Sequence, residues 1–180
     1  MKLLATVREH DIFPDRPAVA DDSYDHTRRA VRMILVDRDG LVAAIFYPAM
    51  THIVDGVAHE SKEGYMLPGG GVDAGEELRD ALVREAYEET GCELEQISEL
   101  GMIQEYGVGR TKKHAQEEYF YFARVKGEKG LPKPTEQEMD WKAEVRWLPF
   151  NELEQHFRDR QSSFMAHIAL IGMKAAESLR

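Results

Sequence analysis

GGVDAGEELRDALVREAYEETGC, residues 70–92, runs from a glycine-rich turn into a helix, and this stretch sets the expectations for the whole chain. The helix is expected from about Gly75 to Thr90 and is stopped by Gly91, because glycine takes the left-handed conformation of a C-cap without steric cost. On a wheel of about 100° per residue with Leu78 at zero, Leu82 falls at about 40° and Ala81 at about 300°, which marks the buried stripe. Glu85, Glu88 and Glu89 fall at about 340°, 280° and 20° and continue that stripe. Arg79, Asp80, Val83 and Tyr87 take the other side. Like charges at i, i+3 and i+4 destabilise a helix by ~0.2–0.5 kcal/mol per pair, so inward carboxylates need compensation. A hard divalent cation supplies it, since magnesium takes oxygen ligands and keeps positions for water and phosphate oxygens. The ordinary alternative is an acidic surface helix with Arg84 and Glu88 paired at i,i+4. Against that stand the core-facing placement of the acids and the glycines just upstream, which let a backbone approach a ligand closely.

Outward from this helix, strands and helices interleave. Ala30–Val36 and Leu41–Tyr47 are apolar and β-branched, and the intervening Asp39-Gly40 favours a tight hairpin turn. Pro48 to Glu63 is polar and reads as a loop carrying His52, His59 and Lys62; it delivers Tyr65-Met66-Leu67 into Pro68-Gly69-Gly70-Gly71. Downstream, strands are expected around Leu94–Tyr106 and Glu118–Val125, followed by a Pro/Glu-rich connection from Gly127 to Lys142. A strand at Glu144–Leu148 precedes helices near Asn151–Phe157 and Ser162–Leu179; in the last, Phe164, Ile168, Ile171 and Ala175 form a stripe at core-packing spacing. The alternation argues an α/β class with a mixed sheet between helices. Residues 1–27, rich in Asp, Arg and Pro, read as an arm with one short strand near Leu3–Val7, and residues 28–180 as a single domain.

A chain of 180 residues, 43% hydrophobic, buries one core. Its formal net charge of -10 argues against partners such as nucleic acid or a membrane surface, while an anionic small substrate remains compatible if metal ions supply local positive charge. Cys92 is the one cysteine, which excludes an intrachain disulfide and suits a reducing compartment. The opening residues break their apolar run with charge too soon for a secretory signal, and no stretch reaches membrane-spanning length, so a cytoplasmic monomer or homodimer is expected.

Residues 70–92 resemble the Nudix box, G-x5-E-x7-R-E-U-x-E-E-x-G-U with U apolar. Gly70, Glu76, Arg84, Glu85, Glu88, Glu89 and Gly91 fit strictly, while Ala86 and Cys92 are smaller than the usual U residues. Tyr65 to Gly70 and Trp147-Leu148-Pro149 also look like the family, so the resemblance spans roughly residues 28–157. It implies the Nudix fold, a mixed sheet sandwiched between helices, and a Mg2+-dependent (or Mn2+-dependent) pyrophosphohydrolase. Such an enzyme cleaves a phosphoanhydride bond in a nucleoside triphosphate or a nucleoside-diphosphate-linked substrate by attack of an activated water at phosphorus. Glu85, Glu88 and Glu89 match the family's metal ligands, Arg84 the arginine that orients them, and Glu76 the residue that holds the loop and Arg84. Metals of this kind neutralise phosphate oxygens and lower the pKa of a bound water, so in-line displacement needs little else.

Family members differ in their general base, which is a glutamate of the box or of a later loop. Glu117, Glu118, Glu136 and Glu138 are available here, and Glu138, in a loop able to fold over the metal site, is the first choice outside the box. Arg110, Lys112 and Lys113, with His114, form the concentrated basic patch of an acidic chain and are expected to contact substrate phosphates; a solvated hairpin tip is the alternative. Tyr47, Tyr65, Tyr119 and Tyr121 either stack a base or fill the core. The competing function is a non-catalytic nucleotide-sensing module on the same fold. Such modules commonly lose box acids and carry a DNA-binding segment, and neither feature is seen here. Isomerisation of a prenyl diphosphate would want a catalytic cysteine, and Cys92 closes the box helix.

Overall fold

A computed structural model describes residues 1–15, 26–54, 57–106, 114–133, 139–160 and 163–179. The expected hairpin is β2 (His26–Val36) and β3 (Leu41–Tyr47). Its turn is closed by the Asp37 carboxylate, which accepts the N–H groups of Asp39 at 2.9 Å and Leu41 at 2.8 Å, while Gly40 takes φ 81°. The two strands pair only beside this turn and then diverge, because each has another partner. β2 runs parallel to β8 (His114–Lys126). β3 pairs with both β6 (Gly64–Met66) and β9 (Glu144–Pro149).

Long strand β7 (Glu93–Tyr106) lies antiparallel to β8 and parallel to β1 (Leu3–Arg8), giving a seven-stranded sheet in the order β1-β7-β8-β2-β3-β6, with β9 on β3. Residues 3–8 of the expected arm thus form an edge strand, followed by the single helical turn α1 (Glu9–Ile12).

The side chains of β2 alternate, as a strand between two layers requires. Val31, Met33 and Leu35 face α2 (Leu78–Thr90) through Ala81, Leu82 and Ala86. Ile34 and Val36 face the opposite layer, with Phe120 and Phe122, under α3 (Phe150–Asp159) and α4 (Phe164–Ala176). Full burial of a side chain such as Ile34, Phe120 or Phe157 contributes ~1.5–3 kcal/mol, so these two layers hold the sheet flat against its helices. In α4, Ile168 is buried and Phe164 and Ile171 pack against the core, so the stripe is used for packing. No helix among the described residues is long and apolar enough to cross a membrane.

One expectation needs correction. Residues 48–63 contain a two-stranded hairpin, β4 (Met50–Val54) and β5 (Val57–Ser61), with Val54 opposite Val57. The apolar Ile53-Val54 and Val57-Ala58 around Asp55-Gly56 are themselves a hairpin signal; the surrounding polar residues obscured it.

Candidate functional site

The glycine-rich segment does not loop freely between β6 and α2. It lies along β2: Val31 N donates to Gly70 O at 2.9 Å, Met33 N to Pro68 O at 3.0 Å, and Val72 N to Arg29 O at 3.0 Å. So close an approach needs glycine, since Gly69 holds φ +135° and a Cβ there would lie 2.1 Å from the Val31 carbonyl oxygen. The helix comes down on the other side of the same turn. Gly69 N donates to Glu89 Oε2 at 2.6 Å, and the Glu85 carboxylate occupies the space that a Cβ on Gly70 would fill, 2.3 Å from Oε1.

Arg84 ties the acids to the loop. Its Nε and Nη2 donate to Glu76 at 2.9 and 3.0 Å, Nη2 also to Gly71 O at 2.9 Å, and Nη1 to Glu85 at 2.7 Å and Glu88 at 3.2 Å. Glu76 also accepts the Asp73 N–H at 2.9 Å. These bonds from Arg84 hold the Glu76 carboxyl at a pKa of about 2. They also raise the Arg84 guanidinium, with Glu76 the largest contributor. Burial pushes Glu85 the other way, upward, and Arg84 offsets only part of that. Glu85 is 12% exposed and Glu88 35%, so the set opens to solvent at Glu88. Glu76, Glu85 and Glu88 thus share one guanidinium.

Among the described residues no three Asp, Glu, His or Cys side chains converge in a ready-made coordination cluster. The donor set nevertheless fits a hard divalent ion. Glu85, Glu88 and Glu89 offer carboxylate oxygen only, one of them is buried against its charge, and a glycine without a Cβ leaves room beside it. Gly91 ends the helix at φ 69°, and Cys92 is buried behind it.

The other sequence-picked residues divide. Glu118 is fully buried and bonded to Arg32 at 2.6 Å, whereas Glu117 accepts the Tyr119 hydroxyl at 2.7 Å. Tyr121 is core. His52 and His59 are backbone neighbours across β4–β5. Glu136, Glu138, Arg110, Lys112 and Lys113 lie outside the described residues. Lys133, the residue before segment 134–138, donates its backbone N–H to Glu88 O at 2.6 Å.

A cavity of about 360 Å³ opens beside β6, lined by Tyr47, Lys62, Tyr65, Trp141, His156 and Arg160 among others. Of these, Trp141, His156 and Arg160 carry no motif signal. The one available hint is Gly64, whose missing Cβ leaves space for the Arg160 guanidinium at 2.5 Å. Tyr65 stands edge-on to His156 at 4.6 Å between ring centroids.

The family model described as NUDIX domain matches residues 26–168. The solution structure of the E. coli ORF135 protein resembles this chain with a TM-score of 0.55 at 20% identity, over 91% of this chain and 98% of that one. A MutT NUDIX hydrolase from Burkholderia pseudomallei has a TM-score of 0.50 at 21% identity, over 71% of this chain and 86% of that one. No curated protein matches the sequence.

Proposed function

Because the chain belongs to the Nudix family, we propose that it is a divalent-metal-dependent pyrophosphohydrolase that splits a phosphoanhydride bond in a nucleoside triphosphate or a nucleoside-diphosphate-linked substrate. The observation that carries this reading is the set of box acids gathered against the glycine turn, with Glu89 on Gly69 N and Glu85 against Gly70. Glu85, Glu88 and Glu89 would hold Mg2+, or Mn2+. When bound, the metal lowers the pKa of a water and neutralises phosphate oxygens.

The chain's own residues do the rest. Arg84 sets the directions of Glu85 and Glu88 through one guanidinium nitrogen, and Glu76 fixes Arg84 from the far side with two hydrogen bonds. This bidentate geometry makes Arg84 a rigid spacer. The water's proton goes to a glutamate, Glu85 of the box or Glu138 of the later segment. Support for Glu138 is positional: its segment starts one residue after Lys133, which is tied to the Glu88 carbonyl. Arg110, Lys112 and Lys113 are the proposed phosphate contacts. The aromatic cavity beside β6 takes the group attached to the diphosphate, since flat rings stack well on Tyr and Trp. Met66 lines that cavity, and only Leu67 and Pro68 separate it from Gly69, a span of at most ~10 Å.

The test is turnover of a panel of nucleoside triphosphates, nucleotide sugars and dinucleotides with Mg2+, each repeated in excess chelator. Metal-dependent release of phosphate or pyrophosphate products supports the reading. Binding without cleavage across the panel would replace it with a sensing role.

A further inference from the structure

Two acids lie deep in the sheet, and the chemistry above does not use them. Glu105 on β7 and Glu118 on β8 are both fully buried. Each keeps one oxygen with no ordinary donor, Oε1 of Glu105 and Oε2 of Glu118, although the two carboxyls are close enough to hydrogen-bond to each other. Burial first, and then the neighbouring Glu118 charge, push the Glu105 carboxyl well above its usual range. A proton on Glu105 lets the two carboxyls hydrogen-bond to each other, as in other carboxyl pairs that cannot both ionise. Gln116 closes the pair at one end, its Nε2 3.4 Å from Glu105 Oε2 and its Oε1 accepting Arg28 Nη1 at 3.0 Å.

At the other end stands Arg32. Its Nε donates to Glu118 Oε1 at 2.6 Å, and its Nη1 donates to two backbone carbonyls, Leu67 O at 3.1 Å and Gly69 O at 2.6 Å. Those carbonyls flank the turn whose Gly69 N–H is taken by Glu89. A chain of contacts thus runs from the buried pair to a box acid: Glu105, Glu118, Arg32, the two peptide groups flanking the Gly69 Cα, Glu89. A lysine in place of Arg32 has no planar fork to serve a carboxylate and two carbonyls together.

We propose that Glu118 is a positioning residue: by fixing the Arg32 fork it sets the Leu67–Gly70 backbone, and through that backbone the Glu85 and Glu89 carboxylates that receive the metal. This rests on the metal-binding reading above. Glu118 does not act as a base, since it is sealed from water and committed to Arg32.

The experiment measures binding of Mn2+ alone, by calorimetry and by loss of the free-ion paramagnetic resonance signal, alongside thermal melts in chelator. Parent, Glu118→Gln, Glu118→Leu, Arg32→Lys and Leu153→Ala are compared, the last a buried apolar site on α3 that takes no part in the Arg32 hydrogen bonds. Removal of a supporting partner weakens metal binding by about 10–100-fold, and that loss is expected for Glu118→Leu and Arg32→Lys. Glu118→Gln keeps an oxygen for Arg32 Nε and should restore affinity to within about threefold, whereas Leu153→Ala should lower the melting temperature and leave affinity unchanged. Should Glu118→Leu fail to fold, Arg32→Lys and Glu118→Gln carry the comparison. Folded Arg32→Lys or Glu118→Leu with parental Mn2+ affinity would overturn the proposal while leaving the metal reading standing. A parent that binds no Mn2+ would overturn both.

Discussion

The molecule carries two groups of carboxylates that meet at one glycine turn and solve the problem of like charge in opposite ways. On α2, Glu85 and Glu88 share Arg84 with Glu76, and the set opens to solvent at Glu88, 35% exposed. On the sheet, Glu105 and Glu118 have no access to water and settle their repulsion internally, through Arg32 and a Glu105 carboxyl pushed well above its usual range. The first group is short of positive charge and accessible, which is the condition for taking up a cation. The second is closed and can serve only as support. Acidity of sequence does not separate the two groups; access and partners do.

The largest expected effect comes from removing the cation on which the first group depends: excess chelator abolishes turnover, Mg2+ or Mn2+ restores it, and Ca2+, looser in its coordination, restores little. Full activity in chelator would erase the distinction between the groups.

Next in size, Glu88→Gln and Glu89→Gln should each lower kcat by about 100–1000-fold with Mg2+ while the fold survives chelator melts. Near-parental rates at low Mg2+ would remove that residue from the ligand set.

Smaller effects fall on KM. Replacing Arg110, Lys112 and Lys113 together by Ala should raise KM about tenfold with little change in kcat, because a contact made equally in ground and transition states affects binding alone. That effect should fade as salt shortens the screening length below ~10 Å. Arg160→Ala, or Gly64→Ala whose new methyl displaces the guanidinium, should raise KM for the true substrate in a way that salt changes less, since the cavity is partly enclosed. If only the second set moves KM, recognition lies in the cavity and the 110–113 patch is surface decoration.

The smallest effects are in stability against pH. Glu76 titrates at about 2 in the folded chain, below an unfolded value of about 4.3, so its bonds to Arg84 stabilise fully above that unfolded value. The stability difference between parent and Glu76→Gln should persist at pH 7, shrink as pH falls from about 4.3 to 2, and vanish below. Glu105 has the opposite sign. Its folded value is raised, so whatever its neutral form contributes is complete below about 4.3 and is lost steadily as pH climbs from there through the raised value. Glu105→Gln, neutral at every pH, should therefore match the parent in acid and melt at or above it at neutral pH. A large loss there would mean that Glu105 is ionised and that the pair holds no shared proton.

Legibility in the sequence follows how local each feature is. The box helix, its inward acids and the Gly91 cap are all written at spacings of one, three, four and seven residues, and the β2–β3 hairpin within the eighteen residues from Ala30 to Tyr47. The mixed sheet between helices followed from the order of such elements. The clamp did not, because Arg32 meets Glu118 across 86 residues and the pairing of β2 with β8 was not derivable from either strand alone. A signal existed: Arg32 interrupts the apolar run Ala30–Val36 on the face shared with Ile34, and Glu118 falls on the Phe120–Phe122 face of its strand. A charge on the inner face of an alternating strand is a claim on a distant partner. The cavity was hidden for the same reason, its walls coming from β3, β5, β6 and the two last helices.

The placement of the two tryptophans gives the protein a built-in optical readout. Trp141 lines the cavity edge-on to Tyr47, at 6.0 Å between centroids, whereas Trp147 lies on the α2 side beneath the Lys129 ammonium, 3.9 Å from its ring centre. One indole thus reports on the cavity and the other on the far layer. Emission that changes on adding ligand and stops changing in Trp141→Phe would assign the signal to the cavity, so occupancy could be followed in real time before any bond in the ligand is broken.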